Sequence, residues 1–235
     1  FRLYARNLNP LELKIWSDEL HLDQTDPVLD TITLVSSNDR DTTSFAKPGD
    51  TITLSFTSEE QLFFPNVILA DDSSLTVEDK SLNSDGTSWQ AIYIVTSSEQ
   101  DRDVSFNIRY QDIAGNSGDN RTSLNSSTNS IRIDTGLPEL ELVSLVSNNS
   151  DNTTAMEGDQ VTLTVRSKEA LQTLNLVDDD GSLDPLTLSG NDGKYWSFTF
   201  DIQAGDTGIV DFRLSYTDLV GNTGIEVTQT TDTSS

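Results

Sequence analysis

An all-β chain of two tandem antiparallel β-sandwiches is the fold class the sequence predicts, on three observations. The stretch FNIRYQDIAGN from Phe106 to Asn116 returns as FRLSYTDLVGN from Phe212 to Asn222, so the chain is a tandem repeat. Short segments with apolar residues at every second position follow one another at intervals of roughly ten residues, about seven to a module, the pattern of half-buried strands in a sandwich. No amphipathic helix competes with them: SEEQLFFPNV opens with good helix formers, and Pro65 cuts it off.

Residues 1–24 come first as an N-terminal extended segment, of which 1–19 fit neither repeat and the repeat resumes at Leu20. Leu11, Leu13 and Ile15 alternate with Glu12, Lys14 and Trp16, and Leu20 and Leu22 flank His21, which predicts an extended, strand-forming segment. Arg2, Arg6 and Lys14 make it the least acidic part of the chain. Its end, LHLDQTDP at 20–27, has the form of IRIDTGLP at 131–138, with Asp23 over Asp134 and Pro27 over Pro138. Each reads as a short strand ending at an Asp, then a Pro-stiffened junction into the next module.

Module one, residues 25–135, runs VLDTITLVS, a polar loop, a Gly-Asp corner and TITLSFTSEE, then TSWQAIYIV, FNIRYQDIAGN and NSIRID. Module two, residues 136–235, answers with ELELVSLVS, SNNSDNTTAMEGD, QVTLTVRSKE, KYWSFTFDI and FRLSYTDLVGN. In the corners DIAGN and DLVGN the Asp side chain caps a tight turn, and Gly and Asn tolerate positive φ. NSIRID closes module one 13 to 18 residues after Asn116, whereas the 13 residues after Asn222 end in TQTTDTSS. The sequence therefore predicts a second module without its closing strand.

Composition narrows the partners. Fourteen basic residues against 39 acidic ones give a net charge of −25 and a pI near 4.1, a surface that repels nucleic acid and anionic membranes and attracts divalent cations. No apolar run exceeds strand length, which excludes direct membrane insertion by a helix. Cysteine is absent, so no disulfide or thiolate metal site contributes. The opening Phe1-Arg-Leu-Tyr-Ala-Arg lacks the order of a signal peptide, as expected of a mature or excised piece. Sequons at Asn120, Asn125, Asn148 and Asn152 lie in Ser/Thr/Asn-rich loops and are candidate glycosylation sites.

Enzyme chemistry has little support. There is one histidine, His21, on an alternating strand, and no nucleophile elbow, phosphate loop or His-containing metal motif. Trp89 and Trp196 alternate with apolar neighbours and read as core rather than as sugar platforms.

Taken in order, S-N-x-x-D-x-T-T, G-D-T-I-T-L, S-E, F-x-I-x-Y-x-D-x-A-G-N and a strand ending in Asp ahead of Pro resemble the bacterial and archaeal immunoglobulin-like repeats of large cell-surface proteins and adhesins, over residues 20–235. Arg166-Ser-Lys in place of Phe56-Thr-Ser departs mildly from the pattern. The resemblance implies two tandem immunoglobulin-like antiparallel β-sandwiches with an extra N-terminal strand segment, at the cell surface, and names no ligand. In such a sandwich the start of the module and the loops after its second and sixth strands share one end. Asp23, Glu59 and Asp112 would meet at the tip of module one, and Asp134, Glu169 and Asp218 at the junction, as oxygen ligands for Ca²⁺. The alternative is that Asp112 and Asp218 cap their turns and the other acids are solvated.

Two functions follow. In the first, the N-terminal strand of one molecule, with Leu11, Leu13, Ile15, Leu20 and Leu22 as its apolar residues, completes module two of a neighbour. Repeated head to tail, this builds a filament or surface layer as a homopolymer. In the second, the chain is a stalk or ligand-binding segment of an adhesin that holds surface glycans or host proteins, and residues 1–19 are the tail of a preceding repeat.

Overall fold

The computed structural model describes residues 23–41, 44–125, 130–177, 187–191 and 193–232. Module one contains β1 (Leu29–Ser36), β2 (Phe45–Ala46), β3 (Thr51–Ser58), β4 (Asn66–Leu69), β5 (Val77–Asp79), β6 (Ser88–Ile94), β7 (Arg102–Asp103), β8 (Phe106–Arg109) and β9 (Arg132–Ile133). Module two contains β10 (Leu140–Ser147), β11 (Gln160–Ser167), β12 (Leu171–Val177), β13 (Thr187–Asn191), β14 (Tyr195–Asp201) and β15 (Arg213–Asp218). A single turn of 3-10 helix, Leu82–Ser84, interrupts the strands. No helix among the described residues is long and apolar enough to cross a membrane.

The strands form because their side chains sort to two faces. In β3, Ile52, Leu54 and Phe56 are buried while Thr51, Thr53 and Ser55 are half-exposed, the period-2 division of a sheet with one wet face. Strand β3 pairs antiparallel with β1 on one side and β6 on the other, with Phe56 opposite both Ile32 and Trp89. The resulting sheet has the order β1-β3-β6-β5. Strands β4 and β8 pair on the opposite layer, next to the small sheet β2-β9-β7. Val67, Leu69, Ile108, Ile131 and Ile133 from that layer join Ile52, Leu54 and Phe56 in one core. Four strands of the first, second, fifth and fourth positions facing the third, sixth and seventh is the immunoglobulin-type arrangement.

Module two repeats it: β10-β11-β14-β13 form one sheet and β12-β15 the pair of the other. Even the irregularity recurs, since a register shift falls between Leu29 and Thr31 of β1 and between Leu140 and Leu142 of β10. The ladders also align the two modules more finely than sequence spacing does. Ser58 Oγ donates to the Glu60 carbonyl at 2.6 Å, and Ser167 Oγ donates to the Glu169 carbonyl. Val165 therefore stands where Phe56 does and Lys168 where Glu59 does, and the apparent Arg166 departure is a one-residue offset.

The modules differ at their last strand. In module one Ile131 and Ile133 are fully buried. Around β9, Val104 N–H donates to the Ile131 carbonyl, Arg132 N–H to the Ser44 carbonyl and Asp134 N–H to the Ala46 carbonyl, at 2.8, 2.8 and 2.9 Å. In module two Val227 bridges Leu214 as Arg121 bridges Ile108. Among the described residues no strand there takes the place of β2, β7 or β9. Ala46 is fully buried and its counterpart Ala155 exposed; Val104 is buried and Val210 only half-buried.

Candidate functional site

Each module is tied to the segment that leads into it by the corner after its sixth strand. Asp112 is buried, and its Oδ1 accepts from Gly115 N and Asn116 N at 2.6 and 2.9 Å, its Oδ2 from Asn116 Nδ2 at 2.7 Å. Asp218 does the same for Val220 N, Gly221 N and Asn222 N at 2.8, 2.7 and 2.9 Å, and for Asn222 Nδ2 at 2.9 Å. The capping reading of these two aspartates is what the hydrogen bonds show. Asn116 Nδ2 also donates to the Asp23 carbonyl at 3.4 Å, and Asn222 Nδ2 to the Asp134 carbonyl at 3.2 Å. Asp23 thus enters module one as Asp134 enters module two.

A second device holds each corner and escaped the sequence reading. Gly118 lies against Tyr110, and Gly224 against Tyr216; a Cβ at either glycine would fall 2.2 or 2.1 Å from a ring carbon. The signal is the second glycine in GNSG and GNTG, which the turn chemistry of the first one masks.

At the tip of module one the carboxylates of Asp23, Glu60 and Asp112 lie within 4.8 Å of one another. Glu60, not Glu59, completes the group: both lie in the bend that follows β3, where Glu59 is exposed and Glu60 half-buried. Burial, then the charges of Asp23, Asp112 and Glu59, push the Glu60 carboxyl above its ordinary value. Asp112 goes the other way: burial pushes it up, and the hydrogen bonds from Asn116, Gly115 and Ala114 outweigh this. At the junction, burial and the charges of Asp101 and Asp218 raise Asp134. Glu169 is raised by burial and by Asp218, Asp134 and Asp101. Among the described residues only the Asp23 group is tight enough to put three carboxylates on one ion.

The junction itself is a packed contact. Asn38, fully buried in the connection from β1 to β3, donates through Nδ2 to Asp50 Oδ2 at 2.8 Å and to the Val220 carbonyl at 3.1 Å. Lys47 Cε and Arg40 Nε lie 3.3 and 3.9 Å from where a Cβ on Gly221 would be. The corner of module two therefore seats on a loop of module one.

The remaining candidates fall as follows. Leu11, Leu13, Ile15, Leu20, Leu22 and His21 lie outside the described residues. Trp89 and Trp196 are buried in the two cores, and Trp89 Nε1 donates to the Gly86 carbonyl at 2.9 Å. Asn120, Asn125, Asn148 and Asn152 are all exposed. The side chain of Asn125 is engaged with Asp30 and Arg121, and that of Asn148 accepts from Gln160 N.

No family model matches the chain, and no curated protein does. Among solved structures it is similar to bovine butyrophilin at 7% identity, over 79% of this chain and 93% of that one, with a TM-score of 0.30. The immunoglobulin-type assignment rests on strand order and core.

Proposed function

We propose that this chain is a non-enzymatic structural subunit of an extracellular filament or surface layer, assembling head to tail by donating its N-terminal strand into the second module of a neighbour. The observation that carries this is β9: the strand that closes module one runs directly into Asp134, where module two begins. Leu20-His21-Leu22-Asp23 has the same pattern as Ile131-Arg132-Ile133-Asp134, and Asn116 holds Asp23 as Asn222 holds Asp134. A neighbour whose Leu20 and Leu22 fill the β9 position of module two thereby sets its own module one on that module.

The energetics favour filling the position. Leu145, Ile202 and Val210 of module two are only partly buried, and unpaired strand edges invite a further strand. Two leucines buried as fully as Ile131 and Ile133 contribute about 1.5–3 kcal/mol each, and the ladder hydrogen bonds add register. The basic residues Arg2, Arg6 and Lys14 steer the segment towards an acidic acceptor. A strand given by one molecule and received by the next leaves a free donor and a free acceptor, so growth continues as an open filament. The same reading places Ca²⁺ at Asp23, Glu60 and Asp112, where it relieves the repulsion among three carboxylates at the start of module one.

Light scattering over a range of concentrations, with negative-stain images, tests the proposal. Mass that grows with concentration into long polymers, and is lost on deletion of residues 1–24, is the expected result. Continued assembly of the truncated chain excludes strand donation, and a monomer at every concentration points instead to a stalk segment.

A further inference from the structure

Resting on the head-to-tail reading, we infer that the loop of module two around Asn149 and Met156 is a docking surface for the Ala114–Gly115 corner of a second copy of this chain. The contact between the two modules of one chain is its template. There Asn38 is a built receptor: its N–H donates to Ser36 Oγ at 3.0 Å, its Oδ1 accepts from Arg40 N at 2.9 Å, and one Nδ2 hydrogen goes to Asp50 Oδ2 at 2.8 Å. The other goes to the guest, the Val220 carbonyl.

Module two builds the same receptor. Asn149 N–H donates to Ser147 Oγ at 3.0 Å, Asn149 Oδ1 accepts from Asp151 N at 3.3 Å, and Nδ2 donates to Asp159 Oδ2 at 2.7 Å. Asp159 Oδ2 also accepts from Met156 N at 2.8 Å, as Asp50 Oδ2 does from Lys47 N at 2.8 Å. The guest is what differs. An amide nitrogen offers two hydrogens, and among the described residues Asn149 Nδ2 donates to Asp159 alone. Asn38 is 0% exposed, while Asn149 is half-exposed and Met156 is 63% exposed.

The free guest stands at the other end of the chain. Ala114 and Gly115 occupy the positions of Val220 and Gly221 in a corner with the same aspartate cap. Val220 is 3% exposed beneath module one, whereas Ala114 is exposed. Gly221 has Lys47 and Arg40 over it; around the Cβ position of Gly115 no atom of the described residues lies within 4 Å. Phe63 and Phe64 stand exposed beside this corner, Phe63 N–H donating to the Gln111 carbonyl at 2.8 Å. Among the described residues one chain thus carries an uncovered receptor and an uncovered guest whose contact it already makes internally, and a second copy presents the matching half to each.

The copy changes one property. The positions of Arg40 and Lys47 are Asp151 and Met156 in module two, so the joint between molecules lacks the two cations of the joint within one. It closes best where charge is screened, in concentrated KCl or with CaCl₂.

Thiol cross-linking tests the contact, because the chain has no cysteine of its own. Full-length chain carrying both Ala114→Cys and Met156→Cys, treated with a short bismaleimide in KCl or CaCl₂, is expected to give a ladder of covalent oligomers. A Lys47→Cys, Val220→Cys chain, which should close internally, shows that the reagent spans this contact. Asn149→Ala removes the intermolecular hydrogen bond, worth about 1 kcal/mol, together with the side-chain bonds to Asp159 and Asp151 that shape the receptor, and is expected to raise the midpoint concentration for assembly at least about fivefold. If the wild type polymerises but the double variant gives no ladder and Asn149→Ala changes nothing, the docking surface is wrong and the filament stands. If the wild type stays monomeric in every condition, both readings fall.

Discussion

The amide of Asn38 donates to the carbonyl of Val220, 182 positions further on, and both residues are buried. This bond, and not the covalent linker alone, sets module two on module one. Replacing Asn38 by Ala leaves the Val220 carbonyl without this partner in a buried site and takes one bond from Asp50, which keeps those from Lys47 N and Nζ; a buried unsatisfied group costs about 1–3 kcal/mol. Asn38→Ala is expected to lower the denaturation midpoint of module one and to separate the unfolding of the two modules. Chemical denaturation followed by Trp89 and Trp196 fluorescence in single-tryptophan variants reads both effects.

Gly118 and Gly224 face tyrosine rings at distances that no Cβ tolerates. Gly224→Ala is expected to destabilise module two by about 1–3 kcal/mol, the range of overpacking in a closed site. Gly205→Ala is the comparison, since no atom of the described residues lies within 4 Å of its Cβ position and its φ of +99° is the source of strain. Differential scanning calorimetry ranks the two, and equal effects would show that the Tyr216 contact is not a constraint.

The acidic groups at the two module starts give stability a defined pH dependence. Glu60, Asp134 and Glu169 are raised above their ordinary values, so the folded state binds their protons before the unfolded state does. Their ionisation therefore costs stability at neutral pH, and the cost is relieved as pH falls through the raised values. Asp50 has the opposite sign: burial pushes it up, and the bonds from Lys47 and Asn38 more than reverse this. Its stabilisation is present at neutral pH and is lost as pH falls through its depressed value. Glu169→Gln is expected to raise the melting temperature at pH 7 and to lose that advantage as the carboxylate range is entered. Melting curves over pH 3–8 check it.

Calcium removal separates cation binding from simple repulsion. With Ca²⁺ at Asp23, Glu60 and Asp112, added CaCl₂ raises the melting temperature of the wild type and chelator reverses it. Glu60→Gln removes one carboxylate of three and is expected to abolish that response, while Glu59→Gln leaves it unchanged. A Glu60→Gln protein that still responds would move the cation elsewhere.

Strand donation predicts complementation in trans. A chain lacking residues 1–24 is expected to be monomeric with a weakened module two. A synthetic peptide of residues 1–24 should restore the melting temperature saturably without restoring polymers. A peptide with Leu20 and Leu22 changed to Asp is the control, and equal rescue by both would show that the apolar face is not what binds.

The sequence by itself determined the elements with strong local periodicity. Alternating side chains named β1, β3, β6, β8, β9, β10, β11, β14 and β15 but not β2, β4, β5, β7, β12 or β13, while the DIAGN and DLVGN corners placed the caps and the repeat divided the chain, because strand and turn preferences are written within a few neighbouring residues. Tertiary structure decided what depends on register and on distant partners. Glu60 rather than Glu59 joins Asp23 and Asp112 because the bend after β3 turns Glu60 inward and leaves Glu59 exposed, and the alignment of Ser58 with Ser167 that pairs Glu60 with Glu169 shows only in the hydrogen bonds. The clasp of Tyr110 on Gly118 leaves only the second glycine of GNSG as a local trace, and the bond from Asn38 to Val220 leaves none, since it arises only when two modules meet. Those distant contacts are also what expose, at the two ends of one chain, the halves of a joint it has already made in its middle.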